Sequence, residues 1–409
     1  MRLTPGTPLL VGVMRDEGAP AEAVGRLVMA GGLAQLEWSD TVVAQGWRVD
    51  PLLYPPQRGL HAARGRHFGG LHGFLADSLP DAWGQLLMRR RLARQGVDFA
   101  TLSAADRLAL AGREGRVALV FEPATTPYED VGPIDLDALA EESRSVLAGE
   151  EARALDVLAR LGGASGGARP KVHVALGADG EVLAAGDEWI VKFRAAVDNP
   201  DIGPVEEAYA QMARLAGIAM AETRLLPSAE GPGHFATRRF DRPGGGRRVH
   251  MISLAGALEA SPDMPSLDYD GFLRATLAIT RHAGDVAEAF RRMVFNVLAH
   301  NRDDHTRQHA FLMGEDGAWR LAPAYDLTCS AGPGGEHYLA VEGEGRAITR
   351  AQVTALGRRH GLTERSIAAV IDEVRGALAE WPRLSAEAGV TVSTAEIAQR
   401  HAAVAAAFG

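Results

Sequence analysis

The feature that most constrains this chain lies between Phe290 and Asp326. Phe290, Met293, Val294, Val297 and Leu298 recur at the i, i+3, i+4, i+7, i+8 spacing of one helical face, which predicts a helix packed on a core along one side. The apolar pattern then stops at Asn301, Arg302, Asp303, Asp304 and His305. A strand-like AFLM follows, and then a further acid, Asp326, in LAPAYDL. A packed helix therefore delivers two adjacent carboxylates and a histidine into a loop, with a third carboxylate a short way on. Hard oxygen donors in this pattern suit magnesium, which takes one or two protein carboxylates and leaves its other positions to water and phosphate. A second acid can orient an attacking hydroxyl. The same residue types also cap helix ends and turns, so the segment taken alone reads equally as a capped loop.

A length of 409 residues allows two or three domains. Hydrophobic residues at 46% and charged residues at 23% are ordinary for a globular protein. The single cysteine, Cys329, leaves no internal disulfide and suits a reducing compartment. No apolar run approaches the ~20 residues of a spanning helix, and the LLVGV near the start is short and preceded by Pro5 and Pro8. The expectation is a cytoplasmic protein with no membrane segment. A formal net charge of −9 argues against a chain that coats nucleic acid by itself. Two arginine clusters, Arg89, Arg90, Arg91 and Arg94, then Arg238, Arg239, Arg242, Arg247 and Arg248, read as solvated faces or partner contacts.

Along the chain, β-like runs at Gly25–Ala30, Leu33–Trp38 and Thr41–Gln45 are separated by turn residues, and Gly31-Gly32 between two of them signals a hairpin. A helix is expected after Asp81, with Trp83, Leu86, Leu87 and Leu92 buried, and it ends at Gly96. A second helix spans Ala104–Ala111, and Arg116–Phe121 reads as a strand. Pro123–Pro133 is the clearest linker, followed by a helical segment from Leu136 to Leu161. The pattern divides the chain into a β-rich region 1–122, a mixed region 134–242 and a mostly helical region 243–409. In the last, Ser393 and Glu396 have capping-box spacing.

The mixed region carries a second informative stretch. GGASGGARPK places Gly162, Gly163, Gly166 and Gly167 ahead of Lys171 and the alternating strand VHVAL. Such a backbone can approach a ligand closely. It is not a Walker A loop, because Lys171 follows Pro170 and precedes Val172. In EWIVKF, Lys192 sits between Val191 and Phe193, an awkward place for an ammonium unless it is paired or faces a ligand. A helix over Val205–Ala216 then carries Glu206 and Glu207 in its expected first turn, with Gly217 as terminator. Glycine-rich loop, strand, lysine-bearing strand and helix with an early glutamate is the order of a kinase small lobe. Thr237–Asp241 then reads as the strand leading to a hinge.

Several separated motifs in this order resemble the HipA family of toxin kinases from bacterial type II toxin-antitoxin systems. FLADSLPDAWGQLL and GREGRVALVFEP are similar to that family's N-terminal subdomain. GGARPK is similar to its glycine-rich loop, IVKF to its lysine strand, RRFDR to its hinge, and AHNRDDHTRQHAFL with PAYDL to its catalytic and metal motifs. The resemblance implies an α+β, atypical two-lobed protein-kinase-like fold that uses ATP and Mg2+. It also implies Ser/Thr phosphorylation of a translation-linked protein such as an aminoacyl-tRNA synthetase, and a small helix-turn-helix antitoxin partner (HipB-like) through which DNA is met only indirectly. By position, Lys192 would hold phosphates with Glu206 as its partner. Asp303 would orient or deprotonate the substrate hydroxyl, His305 would support the catalytic loop, and Asp326 with Gln308 would bind the metal. Gly166, Gly167 and Lys171 would close over the nucleotide, and Arg238 and Phe240 would meet the adenine through backbone groups.

Two positions depart from the family pattern. Gln308 stands where the family usually has Asn, and its extra methylene displaces the amide by on the order of 1 Å at a site that demands near-ideal geometry. Ala164 stands at the usual autophosphorylation position, which leaves Ser165 as the phosphorylatable residue. These departures define a second reading, a nucleotide-binding pseudokinase or sequestering partner with little turnover. A third is a metallohydrolase built on His300, His305 and His309 with Asp303 and Asp304. His305 and His309 have zinc-pair spacing, but the glutamate of HExxH is missing.

Overall fold

A computed structural model describes residues 3, 7–125, 132–163, 166–229 and 231–409. Ser165 and most of the Pro123–Pro133 linker lie outside the described residues. The chain forms two compact units, one of residues 1–197, 238–252 and 312–317, the other of residues 198–237, 253–311 and 318–409.

The first unit opens with an antiparallel five-stranded sheet. Its spatial order is Leu60–Ala62, Leu33–Trp38, Glu22–Ala30, Leu9–Val13 and Leu119–Glu122. Ala30 pairs with Leu33, so Gly31-Gly32 is a two-residue hairpin turn, and both glycines have the positive φ (58° and 78°) that a type I′ turn requires. The expected β-like run Thr41–Gln45 is instead part of a helix, Asp40–Gln45. Ser39 accepts a hydrogen bond from the Val42 N–H, and Gly46 closes the end in a left-handed conformation. Capping at both ends outweighs the β preference of Thr41, Val42 and Val43.

Helix Ala82–Arg94 buries Trp83, Leu87, Met88 and Leu92, while Leu86 is only half-buried. Helix Ala104–Ala111 begins at a complete Ser103/Asp106 capping box. The stretch expected as helical from 136 to 161 is two helices, Leu136–Ala148 and Leu155–Gly162, divided at left-handed Gly149. Strands Lys171–Leu176 and Asp187–Lys192 then pair antiparallel, with Lys171 directly opposite Lys192.

The second unit is mostly helical. Helices Ile202–Leu215, Tyr269–Thr280, Ala283–Leu298, Glu364–Ala379 and Thr394–Phe408 surround a core that includes Tyr209, Phe272, Phe290, Phe295 and Trp381. The amphipathic helix read from Phe290–Leu298 is real and begins earlier, at Ala283. Tyr209 ties the core together, its hydroxyl donating to the Ala299 carbonyl at 2.8 Å and lying 2.8 Å from Nε2 of His401.

Two local expectations are corrected here. Helix Ile202–Leu215 starts three residues before Val205, which puts Glu206 and Glu207 in its second turn, both buried. Ser393 makes no side-chain cap. Its N–H donates to Asp201 at 3.0 Å, and the same buried carboxylate takes Thr391 N–H, Thr391 hydroxyl and Val392 N–H, each within 3.0 Å. A charged acceptor with four donors outcompetes a lone serine hydroxyl. Among the described residues, no helix is long and apolar enough to cross a membrane.

Candidate active site

Helix Ala283–Leu298 ends at Ala299, and His300 turns the chain with a φ of 56°. The loop beyond it separates the adjacent aspartates. Asp304 is fully buried. One of its oxygens accepts from the Tyr269 hydroxyl at 2.7 Å and lies 2.8 Å from His337 Nδ1, and the other accepts from Tyr338 N–H at 2.8 Å. Asn296 donates to the Tyr269 hydroxyl at 3.0 Å, and Asn301 donates to Asn296 at 2.9 Å. Burial by itself raises the Asp304 pKa, but the charge and hydrogen bond of His337 and the Tyr269 hydroxyl hold it below the ordinary carboxylate value. Asp304 is therefore an ionised anchor beneath the loop.

Asp303 points elsewhere, and its side chain keeps 47% of its exposure. His305 Nε2 lies 3.9 Å from an Asp303 oxygen. His305 also caps the single-turn helix Thr306–Gln308, its Nδ1 accepting from Arg307 N–H at 3.2 Å. A half-exposed carboxylate on a backbone fixed from below can meet a substrate hydroxyl, a task closed to Asp304.

Gln308 and Asp326 come together, the Gln308 amide donating to Asp326 Oδ2 at 2.9 Å. Asp326 sits in the left-handed region with a φ of 56°, a conformation uncommon outside glycine and concentrated at functional sites. Tyr325 beside it donates to the Arg307 carbonyl at 2.5 Å, linking the two motifs. One carboxylate and one amide oxygen form a hard donor set that fits magnesium. The three-histidine arrangement does not assemble. His309 is buried with its ring 4.0 Å from that of Phe272, and Asp304 is committed to Tyr269 and His337. Among the described residues, no group of three or more His, Cys, Asp or Glu could hold a metal.

In the first unit, strand alternation resolves the awkward position of Lys192. Val172, Val174, Trp189 and Val191 bury one sheet face, and Lys171, His173, Glu188 and Lys192 occupy the other. Lys171 and Lys192 thus stand directly opposite each other on that face. Lys171 donates its ammonium to the Gly166 carbonyl, closing the loop on itself. Gly162 is required for close packing, since a Cβ there would lie 2.5 Å from the Lys171 carbonyl oxygen. Gly167 has a φ of 80°.

Arg239, Arg242 and their partners form a network that the sequence did not disclose. Arg239, Arg242 and Arg248, read as solvated faces or partner contacts, are buried within the chain. Arg239 grips Asp241 through two hydrogen bonds of 3.1 and 2.8 Å, and it also donates to Glu188 at 2.9 Å and to the Arg116 carbonyl at 2.7 Å. Burial raises the Asp241 pKa, but Arg239 and Arg242 outweigh it and bring the value to about 2. Arg238 instead turns its side chain to Asp187 at 2.8 Å, and Phe240 is half-buried. The available signal was the alternation in TRRFDR, which puts the first arginine on the opposite side from the second.

The HipA structure from Shewanella oneidensis MR-1, determined with HipB and operator DNA, has a TM-score of 0.68 to this chain at 16% identity, covering 97% of this chain and 96% of that one. The fold is α+β and kinase-like. Residues 163–381, more than half of the chain, match the HipA-like C-terminal domain family, and the chain belongs to that family. It is also 32% identical over 159 residues to the putative kinase Y4dM of Sinorhizobium fredii (strain NBRC 101917 / NGR234), a match over 35% of this chain. That match spans only 37% of the relative's length.

Proposed function

We propose that this chain is an ATP- and Mg2+-dependent Ser/Thr protein kinase. The observation that carries this reading is the split between the adjacent aspartates, one fixed and buried, the other presented on the fixed backbone. Asp303 orients the substrate hydroxyl and takes its proton as the oxygen bonds to the γ-phosphorus and the bond to ADP breaks. His305 supports the loop that carries Asp303. Asp326 and Gln308 would hold magnesium, which when bound neutralises phosphate charge. Lys192 is assigned to the nucleotide phosphates with Glu206 as its supporting acid, Gly166, Gly167 and Lys171 to the loop over the nucleotide, and the backbone of Arg238 and Phe240 to the adenine. By its family, the kinase is the toxin of a toxin-antitoxin pair in the cytoplasm. Its partner is a small helix-turn-helix protein like the HipB present in the related structure, and its substrate is a translation-related protein. Regions 1–122, 134–242 and 243–409 are proposed as N-terminal subdomain, small lobe and helical lobe, with Ser165 as the phosphorylatable loop residue.

The test is transfer of label from γ-labelled ATP with magnesium to protein hydroxyls. Transfer by the wild type and its loss in Asp303→Asn supports the assignment; undiminished transfer by that variant would sink it. One observation favours the second reading, a nucleotide-binding pseudokinase: Gln308 donates to Asp326, so the amide engages the carboxylate that the metal needs. Calorimetric binding of ATP and magnesium with no transfer to any protein would establish that alternative.

A further inference from the structure

The N-terminal sheet region contributes side chains to the glycine-rich loop. Asp81 stands at the N-cap position of helix Ala82–Arg94 yet gives that helix no side-chain hydrogen bond. Its Oδ2 instead accepts from Gly167 N–H at 2.9 Å and from Arg116 Nη1 at 3.3 Å. Arg116 also donates to the Leu79 carbonyl at 3.1 Å, so it grips both sides of the turn that presents Asp81. Trp83 adds two bonds, its N–H to the Gly167 carbonyl at 3.2 Å and its indole N–H to the Lys171 carbonyl at 3.0 Å. Both ends of the Gly166–Lys171 segment are thereby held. The fit is close, since a Cβ on Gly166 would lie 2.3 Å from Arg116 Nη1.

A carboxylate at an N-cap ordinarily satisfies the first turn of its own helix. Here that role is given up to a loop amide 86 residues away. The Asp81–Arg116 pair is largely but not fully buried, with side-chain exposures of 12% and 17%. Arg116 is joined in turn to the hinge, because its carbonyl accepts from Arg239, which holds Asp241 and Glu188. One continuous set of hydrogen bonds therefore runs from Gly167 through Asp81 and Arg116 to the hinge arginines.

We propose that Asp81 and Arg116 are positioning residues that set the pose of the glycine-rich loop, and so tune nucleotide affinity from the N-terminal region. The inference rests on the loop covering ATP, as proposed above. Asp81→Ala releases the Gly167 amide and leaves Arg116 without its acid. Asp81→Asn keeps an acceptor for the amide and removes only the charge pair.

The test pairs hydrogen exchange at Gly167 with kinetics on the full chain. A hydrogen bond to a charged group is large enough to slow exchange by about tenfold. Gly167 exchange is therefore expected to speed up about tenfold in Asp81→Ala, less in Asp81→Asn, with melting temperature nearly unchanged. The KM for ATP should rise severalfold in the same order while kcat holds. Arg116→Lys, which keeps the charge but not the fork, should fall between wild type and Asp81→Ala. Unchanged Gly167 exchange in Asp81→Ala, or a fall in kcat at constant KM, overturns the proposal. Faster exchange in a protein whose wild type binds no ATP would instead uphold the clamp and overturn the nucleotide reading.

Discussion

The acidic loop of the second unit and the glycine-rich loop of the first are both short polar segments, yet they are held in opposite ways. The acidic loop is pinned from below. Asp304 lies beneath it with both oxygens satisfied by Tyr269, His337 and Tyr338, and Asn296 and Asn301 complete the network. The glycine-rich loop is held from the side by buried Trp83 and by Asp81 and Arg116, which keep a small part of their exposure. A buried charge network has one low-energy arrangement, because any loosening strands a charge in low dielectric. A pair that keeps some exposure can exchange part of its hydrogen bonding with water, so it costs less to loosen than a fully buried network. The contrast matches the tasks proposed for them: the loop that presents the catalytic carboxylate is fixed, and the loop over the nucleotide is adjustable.

The comparison breaks first at Asp304. Asp304→Ala strands His337 and Tyr269, and chemical denaturation is expected to show a loss of about 4 kcal/mol. A loss below about 1 kcal/mol would mean that the acidic loop is no better anchored than the other. An intermediate case is Asp241, also buried and ion-paired but in the first unit. Its folded pKa of about 2 lies below the reference 3.8, so it stabilises the fold above the reference value, and that contribution is lost as pH falls toward about 2. That contribution amounts to roughly 2 kcal/mol. Melting followed through that acid window should show a drop that Asp241→Asn, already destabilised at neutral pH, lacks. Asp81→Ala should cost about 1 kcal/mol, read in the same denaturation experiment, as suits a hydrogen-bonded pair that keeps part of its exposure. Smallest of all is Ser393→Ala, expected within about 0.5 kcal/mol because its hydroxyl caps nothing, whereas Ser103→Ala should cost about 1 kcal/mol.

Much of the framework was legible in the sequence because it rests on short-range rules. The Gly31-Gly32 hairpin, helix Ala104–Ala111 and the buried stripe of Phe290–Leu298 all follow from turn chemistry and periodicity. The errors arose where long-range partners decide. Asp201, nearly 200 residues away, claimed the backbone that a Ser393 cap was expected to shape. Asp81 stands at the N-cap of the helix expected after it, yet its carboxylate serves Gly167 rather than that helix. Arg239 and Arg242 looked solvent-facing because the carbonyls of Gly115, Arg116 and Val117 that receive them are distant in sequence. At the candidate site the resemblance singled out Asp303, but the burial and anchoring of Asp304 beside it were not legible. Nothing local distinguishes two adjacent aspartates; Tyr269 and His337 do.

The most direct measurement is the rate of phosphate transfer from labelled ATP by Asp303→Asn, set beside its melting temperature. The account predicts a loss of about a thousandfold, within the range for removal of a general base, with melting little changed because the Asp303 side chain is half-exposed. Transfer at the wild-type rate, or a loss explained by unfolding, would contradict it.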